Sequence, residues 1–465
     1  MTYEVLVIGS GPAGFEAARR TAAAGKRTAL VTSTPPGGRA TVGSLLPSKG
    51  WLYHAHHVGE TPDADIPAAA AKVRGAVADR IAWTRSALEE LGVTVIDGYA
   101  RIVGSNSVSV TMENGDTGAR AGTREGQVFS ADSMVIAAGS EPIFFPGVKP
   151  DGKRIIAPRH TQHLSELPKS LIMVGGGVTG VEYSSVFARM GTSVTMLSYD
   201  PLLPRSDREY VGRLQDSLRT LGIEIETGVA VDKVENTGDG VRVTRRGGGT
   251  LEADYAFIAT GRAGDLTFFG EGAPEFGRTP DGRFLSVDEA GRTDVPGVYA
   301  CGDVTGAPLT ANKAVLQGRR VAAAIISGRG RGTPGDASDA GDTGDAGDVA
   351  DLAAGSPRKW VIEAVYTEPQ LAQIGPVLEL AERSDTTVVR KSYSSSMLSQ
   401  VHDSVTGEVK IWTNTDGLIL GAAAFGESAS ELLASVQVAM QNSNTLAQLE
   451  AVPFAYPSFS EIVTF

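Results

Sequence analysis

The sequence predicts an α/β protein in which one βαβ unit occurs twice and a separate α+β domain follows. The first unit runs from an apolar strand at 5–8 through a glycine turn and an alanine-rich helix to a second strand at 28–31. The same pattern returns at 171–197. After residue 360, strand-like stretches and one helical stretch occur at 361–366, 408–412, 418–423 and 427–441. These three parts predict two Rossmann-like domains and a C-terminal α+β domain.

Length and composition restrict the class of protein. A chain of 465 residues with 42% hydrophobic residues can bury the cores of several domains. Its net charge of -12 argues against nucleic-acid binding, which requires a basic face. No uncharged apolar run reaches the roughly 20 residues of a membrane span, and the N-terminus shows no charged leader with a cleavage site. We therefore expect a cytoplasmic protein without a membrane span or a nucleic-acid partner.

The first glycine motif directly follows the first strand and reads Gly9-Ser10-Gly11-Pro12-Ala13-Gly14. Glycine permits the tight turn and lets backbone N–H groups approach a pyrophosphate at the helix N-terminus. We interpret this motif as a dinucleotide site and assign it to FAD. The acid that usually binds the adenosine ribose is absent, and Thr32 stands in its place. The Thr32 hydroxyl can still hydrogen-bond the sugar.

A second glycine motif, again between a strand and a helix, reads Gly175-Gly176-Gly177-Val178-Thr179-Gly180-Val181-Glu182. Two such motifs imply two dinucleotides, and we assign the second to a nicotinamide cofactor. Ser198 stands where the ribose-binding acid is expected, so no carboxylate repels a 2′-phosphate. Arg205 can supply a positive partner, which favours NADPH over NADH, although Arg205 can instead pair with Asp207 on the surface.

A third signal follows an apolar strand and reads Tyr299-Ala300-Cys301-Gly302-Asp303-Val304. We interpret Asp303, after Gly302, as a ligand of the ribitol chain of FAD; the alternative is an N-cap of the next helix. Cys301 is the only cysteine in the chain, which excludes an intramolecular disulfide and a multi-cysteine metal site. We predict no metal, and we expect Cys301 to be a small buried side chain without reactivity.

The stretch 327–358 consists almost entirely of Gly, Asp, Ala, Ser and Thr. This composition predicts a flexible surface insertion, and an acidic docking segment is the alternative. We predict an FAD domain in two parts, a nicotinamide-cofactor domain between them, the insertion and a C-terminal domain, at 1–145 with 265–326, 146–264, 327–358 and 359–465.

The motifs together resemble those of the FAD-containing pyridine nucleotide-disulfide oxidoreductases over almost the whole chain apart from the insertion. Further short motifs support the resemblance: Gly37-Gly38, Pro47-Ser48-Lys49, Ile136-Ala137-Ala138-Gly139, Ala259-Thr260-Gly261-Arg262 and Tyr366-Thr367-Glu368-Pro369. The resemblance implies an FAD domain, an inserted NAD(P) domain, and a C-terminal domain that forms a homodimer and completes the active site of the partner.

The resemblance also implies the residues of the first half-reaction. Lys49 and Glu182 match the family's ion pair beside flavin N5, where the lysine stabilises the negative charge that develops when NAD(P)H delivers hydride. Motifs and resemblance together assign the following residues to FAD: Gly9, Gly11, Pro12, Ala13, Gly14, Thr32, Gly38, Lys49, Ala138, Gly139, Gly302 and Asp303. They assign the following to NAD(P): Gly175, Gly177, Thr179, Gly180, Glu182, Ser198, Arg205 and Gly261.

The second half-reaction departs from the family pattern. The two redox cysteines of the family fall on Ala40 and Leu45, which cannot form a thiolate or a mixed disulfide. The family's histidine base falls on Tyr456, and the glutamate that supports it falls on Glu461. A phenol with an ordinary pKa of about 10 is a poor base for a thiol. Tyrosine at this position and a broken cysteine loop are also similar to the soluble transhydrogenase branch of the family.

We therefore predict an enzyme that passes hydride from NAD(P)H through FAD directly to a small-molecule acceptor, either a second pyridine nucleotide or a quinone. Tyr456 and Glu461 are further candidate catalytic residues, and a packed interface aromatic is the alternative for Tyr456. Two alternatives to the function stay open: a degenerate non-catalytic flavoprotein, and a specialised reductase whose organic substrate lies over the flavin in a pocket lined by Ala40 and Leu45.

Overall fold

The computed structural model describes residues 2–57, 65–112, 126–328 and 360–464. From residue 329 onward, the predicted insertion lies outside these residues. The strands are β1 (Thr2–Ile8), β2 (Thr28–Thr32), β3 (Thr94–Asp97), β4 (Tyr99–Gly104), β5 (Ser107–Thr111), β6 (Gln127–Ile136), β7 (Ser140–Pro142), β8 (Ile155–Ile156), β9 (Ser170–Val174), β10 (Ser193–Ser198), β11 (Glu224–Thr227), β12 (Val231–Asn236), β13 (Val241–Arg245), β14 (Thr250–Ala253), β15 (Tyr255–Ile258), β16 (Arg262–Gly264), β17 (Val298–Ala300), β18 (Glu363–Val365), β19 (Gln370–Ile374), β20 (Thr387–Ser392), β21 (Glu408–Thr413) and β22 (Ile419–Gly426).

The α-helices are α1 (Pro12–Ala23), α2 (Gly38–Val42), α3 (Leu45–His57), α4 (Ile66–Glu89), α5 (Val178–Arg189), α6 (Arg208–Thr220), α7 (Ala311–Ile326), α8 (Val377–Glu382), α9 (Met397–Val401), α10 (Ala429–Gln441) and α11 (Leu446–Glu450). Short 3₁₀ helices lie at Pro158–His163, Asp303–Thr305, Tyr393–Ser395 and Phe459–Thr464.

The first glycine motif belongs to a sheet with the strand order β3-β2-β1-β6-β5-β4, in which β17 also pairs with β6. Strand β1 is parallel to β2 and β6, and β17 is parallel to β6. Two distant segments of the chain therefore build one sheet. The carboxyl ends of β1 and β17 meet at one edge, which brings the first glycine turn close to Asp303.

The second glycine motif belongs to a parallel sheet with the order β11-β10-β9-β15-β8. An antiparallel sheet, β12-β13-β14, accompanies it. Strands β7 and β16 pair with each other where the chain leaves and re-enters the first sheet. The two glycine motifs thus lie in separate open sheets that two short strands connect.

The C-terminal part forms an antiparallel sheet, β18-β19-β22-β21-β20, covered by α10. Two elements are shorter than the sequence predicts. The helix expected at 427–441 begins at Ala429, because Ser428 has a left-handed φ of 54° that breaks the helical geometry. The strand expected at 361–366 comprises only Glu363–Val365, and the N–H of the next residue, Tyr366, donates to the Glu182 carboxylate instead.

A buried ion pair fastens the C-terminal sheet to the second sheet. Lys410 Nζ on β21 lies 2.8 and 2.9 Å from the two carboxylate oxygens of Asp207. Asp207 also caps α6 by accepting a hydrogen bond from the Tyr210 N–H at 2.9 Å. Because one carboxylate serves both partners, the position of α6 and that of β21 are coupled.

Glu16 fixes the helix that follows the first glycine motif. Its buried carboxylate accepts hydrogen bonds from Arg19 and Arg20 on α1 and from Arg319 on α7, at 2.6–2.9 Å. Burial alone would raise the pKa of Glu16, but the three guanidinium groups outweigh burial and lower it to about 2. Glu16 therefore orders α1 against α7 as a charged group.

We expect Glu16→Gln to lower the free energy of unfolding by about 1 kcal/mol at pH 7, because three guanidinium groups lose their charged acceptor and their partial exposure to solvent screens the effect. A carboxyl with a lowered folded-state pKa stabilises above its ordinary pKa, and this contribution disappears as pH falls toward the lowered value. The difference should therefore be complete at pH 7 and shrink below about pH 4.5, the ordinary pKa of a glutamate side chain. Denaturant unfolding across this range measures it, with exposed Glu271→Gln as control. A difference that persists unchanged at low pH contradicts the assignment.

Candidate active site

In the first glycine turn, Gly11 is the glycine whose missing side chain leaves open space beside the backbone. Gly9 has a φ of +102°, and a Cβ there would collide with the carbonyl oxygen of Ala137. A Cβ on Gly14 would collide with the carbonyl of Gly9, whereas a Cβ on Gly11, the N-cap of α1, meets no described heavy atom within 4 Å. Packing therefore demands glycine at two positions, and the third keeps the helix N-terminus open to a phosphate. These residues fit a dinucleotide.

The second turn repeats this arrangement. Gly175 has a φ of +124° and faces the carbonyl of Ala259, while a Cβ on Gly180 would meet the carbonyl of Gly175. Gly177 caps α5, and a Cβ there meets no described heavy atom within 4 Å. The open helix N-terminus again fits a pyrophosphate. Thr179 lies in the first turn of α5, one residue before Gly180.

The two hydroxyls that replace the ribose-binding acids already have partners within the chain. Thr32 Oγ1 donates to the carbonyl of Thr34 at 2.7 Å and lies 2.8 Å from Ser10 Oγ. Ser198 Oγ donates to the carbonyl of Asp200 at 2.7 Å. Both residues are buried. Each hydroxyl donates its hydrogen bond to a carbonyl in the loop that follows its strand, β2 or β10. Neither side chain offers a negative charge to a ribose.

Arg205 points away from Asp207. Its guanidinium lies 3.3 Å from Glu363 Oε2 on β18, whereas Asp207 pairs with Lys410. The alternative pairing of Arg205 with Asp207 is therefore wrong. The side chain of Arg205 is exposed and held toward the C-terminal sheet, a contact between distant segments that the local sequence does not reveal.

Asp303 begins the 3₁₀ helix after Gly302, which has a φ of +83°. Its Oδ2 accepts a hydrogen bond from Ser140 Oγ at 2.7 Å. The next α-helix, α7, has Thr310 as its N-cap, so the interpretation of Asp303 as that N-cap is wrong. A carboxylate held by one hydroxyl at the end of β17 retains lone pairs for a polyol.

Two arginines that were not among the predicted site residues, Arg39 and Arg262, converge beside Asp303. Arg262 donates to Ser140 Oγ at 2.8 Å and to the Ser140 carbonyl at 2.5 Å. Arg39 donates to the same carbonyl and lies 3.1 Å from Asp265. Burial, and then the nearby Arg39 charge, lower the pKa of Arg262. Arg39 directly precedes Ala40, so the loop that carries cysteines in relatives is here tied to the β7–β16 connection.

Lys49, Glu182 and Tyr366 come together from three elements. Lys49 Nζ on α3 lies 2.7 and 2.8 Å from the carboxylate oxygens of Glu182 on α5. Glu182 is only 3% exposed, and it also accepts the Tyr366 N–H at 3.0 Å. Lys49 Nζ lies 4.3 Å from the centre of the Tyr366 ring. The lysine is therefore held in one position while part of its surface stays accessible.

A second ionic layer lies further along the same two helices. The Glu368 carboxylate lies 3.0 Å from His56 Nδ1 on α3 and 3.2 Å from the Arg189 guanidinium on α5, which also donates to the Glu368 carbonyl at 3.1 Å. Burial lowers the pKa of His56, and the nearby Glu368 charge opposes this effect. The segment 366–369 thus contacts both helices twice, which fixes the spacing between Lys49 and Glu182.

The two positions of the missing cysteines lie on separate helices near this pair. Ala40 is in α2 and Leu45 is the first residue of α3, one turn before Lys49. Leu45 is 41% exposed. The Leu45 side chain is therefore open to solvent, and it supplies no redox chemistry.

Tyr456 and Glu461 have different environments. The Tyr456 side chain is 61% exposed, whereas Glu461 is buried. Glu461 accepts backbone hydrogen bonds from Met397 at 3.1 Å and from Ser458 at 3.4 Å. Among the hydrogen bonds of the described residues, none joins the Tyr456 phenol to Glu461. Glu461 therefore holds α9 against the C-terminal tail.

Cys301 is fully buried, and burial raises the pKa of its thiol to about 12. We expect no reaction with N-ethylmaleimide in the native protein at pH 8, because the thiolate is the reactive form. Mass spectrometry should detect one modified thiol per chain only after unfolding. Rapid labelling of the folded protein contradicts this burial.

Comparison with known proteins identifies the family. Residues 3–318 match the family model described as pyridine nucleotide-disulphide oxidoreductase, and residues 361–464 match its dimerisation domain. The chain therefore belongs to the pyridine nucleotide-disulphide oxidoreductases. Membership confirms the predicted fold class and makes the chain an oxidoreductase that uses FAD and NAD(P)H.

Individual relatives span nearly the whole chain. The chain is 30% identical to an NAD(P)H dehydrogenase (quinone) from Mycobacterium tuberculosis, covering 100% of the chain and 93% of the relative. It is 29% identical to a dihydrolipoyl dehydrogenase from Chlorobaculum tepidum, covering 99% and 95%. The crystal structure of LpdA from Mycobacterium tuberculosis superposes with a TM-score of 0.84 at 27% identity, covering 99% of this chain and 98% of LpdA.

Neither a metal centre nor a membrane-spanning helix is found among the described residues. No group of three or more His, Cys, Asp or Glu side chains within 2–57, 65–112, 126–328 and 360–464 could hold a metal ion. No helix in this part of the chain is both long and apolar enough to cross a membrane.

Proposed function

We propose that this protein oxidises NAD(P)H and delivers the hydride, by way of FAD, directly to an acceptor that is not a disulfide. The acceptor is a second pyridine nucleotide or a quinone. The observation that carries the proposal is an intact Lys49–Glu182 pair, 2.7 Å apart, next to Ala40 and Leu45 in place of cysteines.

The residues of the chain divide the task between binding and electrostatics. The open helix N-termini at Gly11 and Gly177 would hold the pyrophosphates of FAD and NAD(P)H. Bound FAD supplies the centre that takes up and gives off hydride. Lys49 places a fixed positive charge at the active site, and Glu182 and Tyr366 prevent the lysine from moving to solvent. Asp303 offers its carboxylate to the ribitol chain.

We infer that the hydride passes directly from the flavin to the acceptor because the chain lacks the two thiols of a disulfide relay. A disulfide relay needs two thiols close together, and this chain has only Cys301, whose thiol is buried. The dihydrolipoyl dehydrogenases among the relatives suggest disulfide reduction, but this chain has no second cysteine for their relay. The relative named NAD(P)H dehydrogenase (quinone) supports an organic acceptor.

The nicotinamide preference follows from the end of β10. Ser198 carries no charge that would repel a 2′-phosphate, and this supports NADPH. Arg205 gives less support than the sequence suggested, since Glu363 already partly neutralises it. We therefore propose NADPH as the donor on the strength of Ser198 alone.

Anaerobic stopped-flow mixing of the FAD-loaded protein with NADPH and, separately, NADH tests the first half of the proposal. We expect NADPH to bleach the flavin absorbance rapidly and NADH to do so more slowly. An FAD-loaded protein that neither cofactor bleaches would contradict the proposal. A purified protein that binds no FAD when FAD is added would support a non-catalytic role instead.

A further inference from the structure

A histidine–carboxylate pair lies on the C-terminal domain, outside the residues assigned above. His402 Nδ1 lies 2.8 Å from Glu427 Oε1. The two side chains are 42% and 39% exposed. His402 is the only histidine after residue 163. A carboxylate on Nδ1 orients the ring and leaves Nε2 free to exchange a proton with a ligand.

The pair is packed against the segment that carries Tyr456. The His402 ring meets the Phe459 ring edge-on, with 5.6 Å between centroids and 78° between planes. Met397, at the start of α9, donates its N–H to Glu461 in the same tail. His402 directly follows α9, so the helix, the tail and the His402–Glu427 pair form one packed unit.

The helix and the tail that hold the pair also carry exposed apolar side chains. Val401 is 75% exposed, and Met397 and Tyr456 are also exposed. Exposed apolar side chains beside a polar pair are typical of a surface that contacts another molecule. The domain that carries them matches a dimerisation domain, so a second copy of this chain is the partner that the surface fits. A ligand between the two copies would then meet His402.

Glu427 is fixed in the turn after β22. The Tyr393 hydroxyl donates to the Glu427 carbonyl at 2.9 Å, and the Glu427 carboxylate lies against His402 Nδ1. Asp403 follows His402 in the chain, and the tail contributes the Phe459 ring and the buried Glu461. The residue that orients the ring is therefore itself held by a backbone hydrogen bond.

We propose that His402, oriented by Glu427, donates a proton to a quinone acceptor during its reduction. This inference rests on the proposed function and narrows its acceptor to the quinone class. A quinone that receives hydride gains two electrons and one proton and becomes a quinol monoanion. His402 Nε2 supplies the second proton, which completes the quinol, and solvent reprotonates the imidazole. The hydride comes from NAD(P)H, so no further reductant is needed.

Acceptors that need no proton provide the control for this proposal. Thio-NAD takes up hydride alone, and ferricyanide takes up electrons alone. We expect His402→Gln to lower turnover with menadione about 100-fold, in the range of general acid catalysis. Glutamine can still donate to Glu427, so the packing is retained. Turnover with thio-NAD and ferricyanide should match the wild type, as should every rate of exposed His163→Gln.

Glu427→Gln tests the orientation of the ring. The rate with menadione should fall by about tenfold, because a glutamine amide holds the ring less firmly than the carboxylate, while turnover with thio-NAD and ferricyanide stays at the wild-type level. An unchanged rate with menadione, or equal losses with all three acceptors, contradicts the role of Glu427. Thermal unfolding of both variants checks that the fold is unchanged.

Chemical modification gives a test that does not depend on turnover. Diethyl pyrocarbonate should modify His402 in the FAD-loaded protein more slowly when menadione is present, while His163 reacts at the same rate with or without it. Peptide mass spectrometry measures both sites. Lack of protection, unchanged menadione turnover in His402→Gln, or equal losses with all three acceptors would each overturn the inference. A wild type that reduces only disulfides would instead overturn the proposed function.

Discussion

Replacing Lys49 with methionine is expected to slow NADPH-dependent bleaching of the flavin absorbance by about 10²–10³-fold, the usual effect of removing one preorganised electrostatic group. The effect should be large because Lys49 is held by both oxygens of Glu182 and by the Tyr366 ring. Methionine preserves the length and the apolar packing of the side chain. Stopped-flow absorbance with saturating NADPH measures the change.

The substitution also leaves a buried carboxylate without its partner. Breaking a buried ion pair by removing one side lowers the free energy of unfolding by about 3–5 kcal/mol. A double variant, Lys49→Met with Glu182→Gln, removes both charges and should recover most of the stability while bleaching stays slow. Exposed Lys153→Met is the matched control. A single variant with normal bleaching, or a double variant that recovers the rate, contradicts a direct electrostatic role.

We expect Gly11→Val to weaken the binding of FAD and Gly177→Val to weaken the binding of NADPH, each without affecting the other cofactor. Both positions leave a Cβ without a described neighbour within 4 Å, so the fold tolerates a side chain there. The side chain would occupy the space that a pyrophosphate needs, and overpacking of roughly 1–3 kcal/mol weakens binding about 10- to 100-fold. Gly11→Val should therefore purify with little FAD, whereas Gly177→Val should retain FAD and show a raised KM for NADPH.

Absorbance spectra and NADPH titrations distinguish the two variants. Loss of FAD from Gly177→Val, or full FAD content in Gly11→Val, would show that the two dinucleotides are assigned to the wrong turns. Gly14→Ala is a useful comparison, because its Cβ would collide with the Gly9 carbonyl. It should lower stability as well as FAD content.

The sequence predicted the parts of the site that depend on local backbone geometry. Both glycine turns have the positive φ and close approaches that their motifs require, and the Lys49–Glu182 pair forms as the resemblance implied. Short motifs carry this information because helix N-termini and strand ends determine the positions of their own residues.

Contacts between distant segments could not be predicted in this way. Arg205 finds Glu363 on β18 rather than Asp207 two residues away, and Arg39 reaches the β7–β16 connection. Such partners depend on how the sheets pack, and the sequence near each residue holds no signal for that packing. The strand predicted at 361–366 ends one residue early for the same reason, since Glu182, far away in the chain, accepts the Tyr366 N–H.

Reoxidation of the enzyme after anaerobic reduction by NADPH tests the central claim most directly. The reduced protein is mixed with menadione, thio-NAD or a small disulfide such as lipoamide, and the return of flavin absorbance is followed. Direct transfer to a non-disulfide acceptor predicts rapid return with menadione or thio-NAD and none with the disulfide. Rapid return and sustained turnover with the disulfide would contradict it.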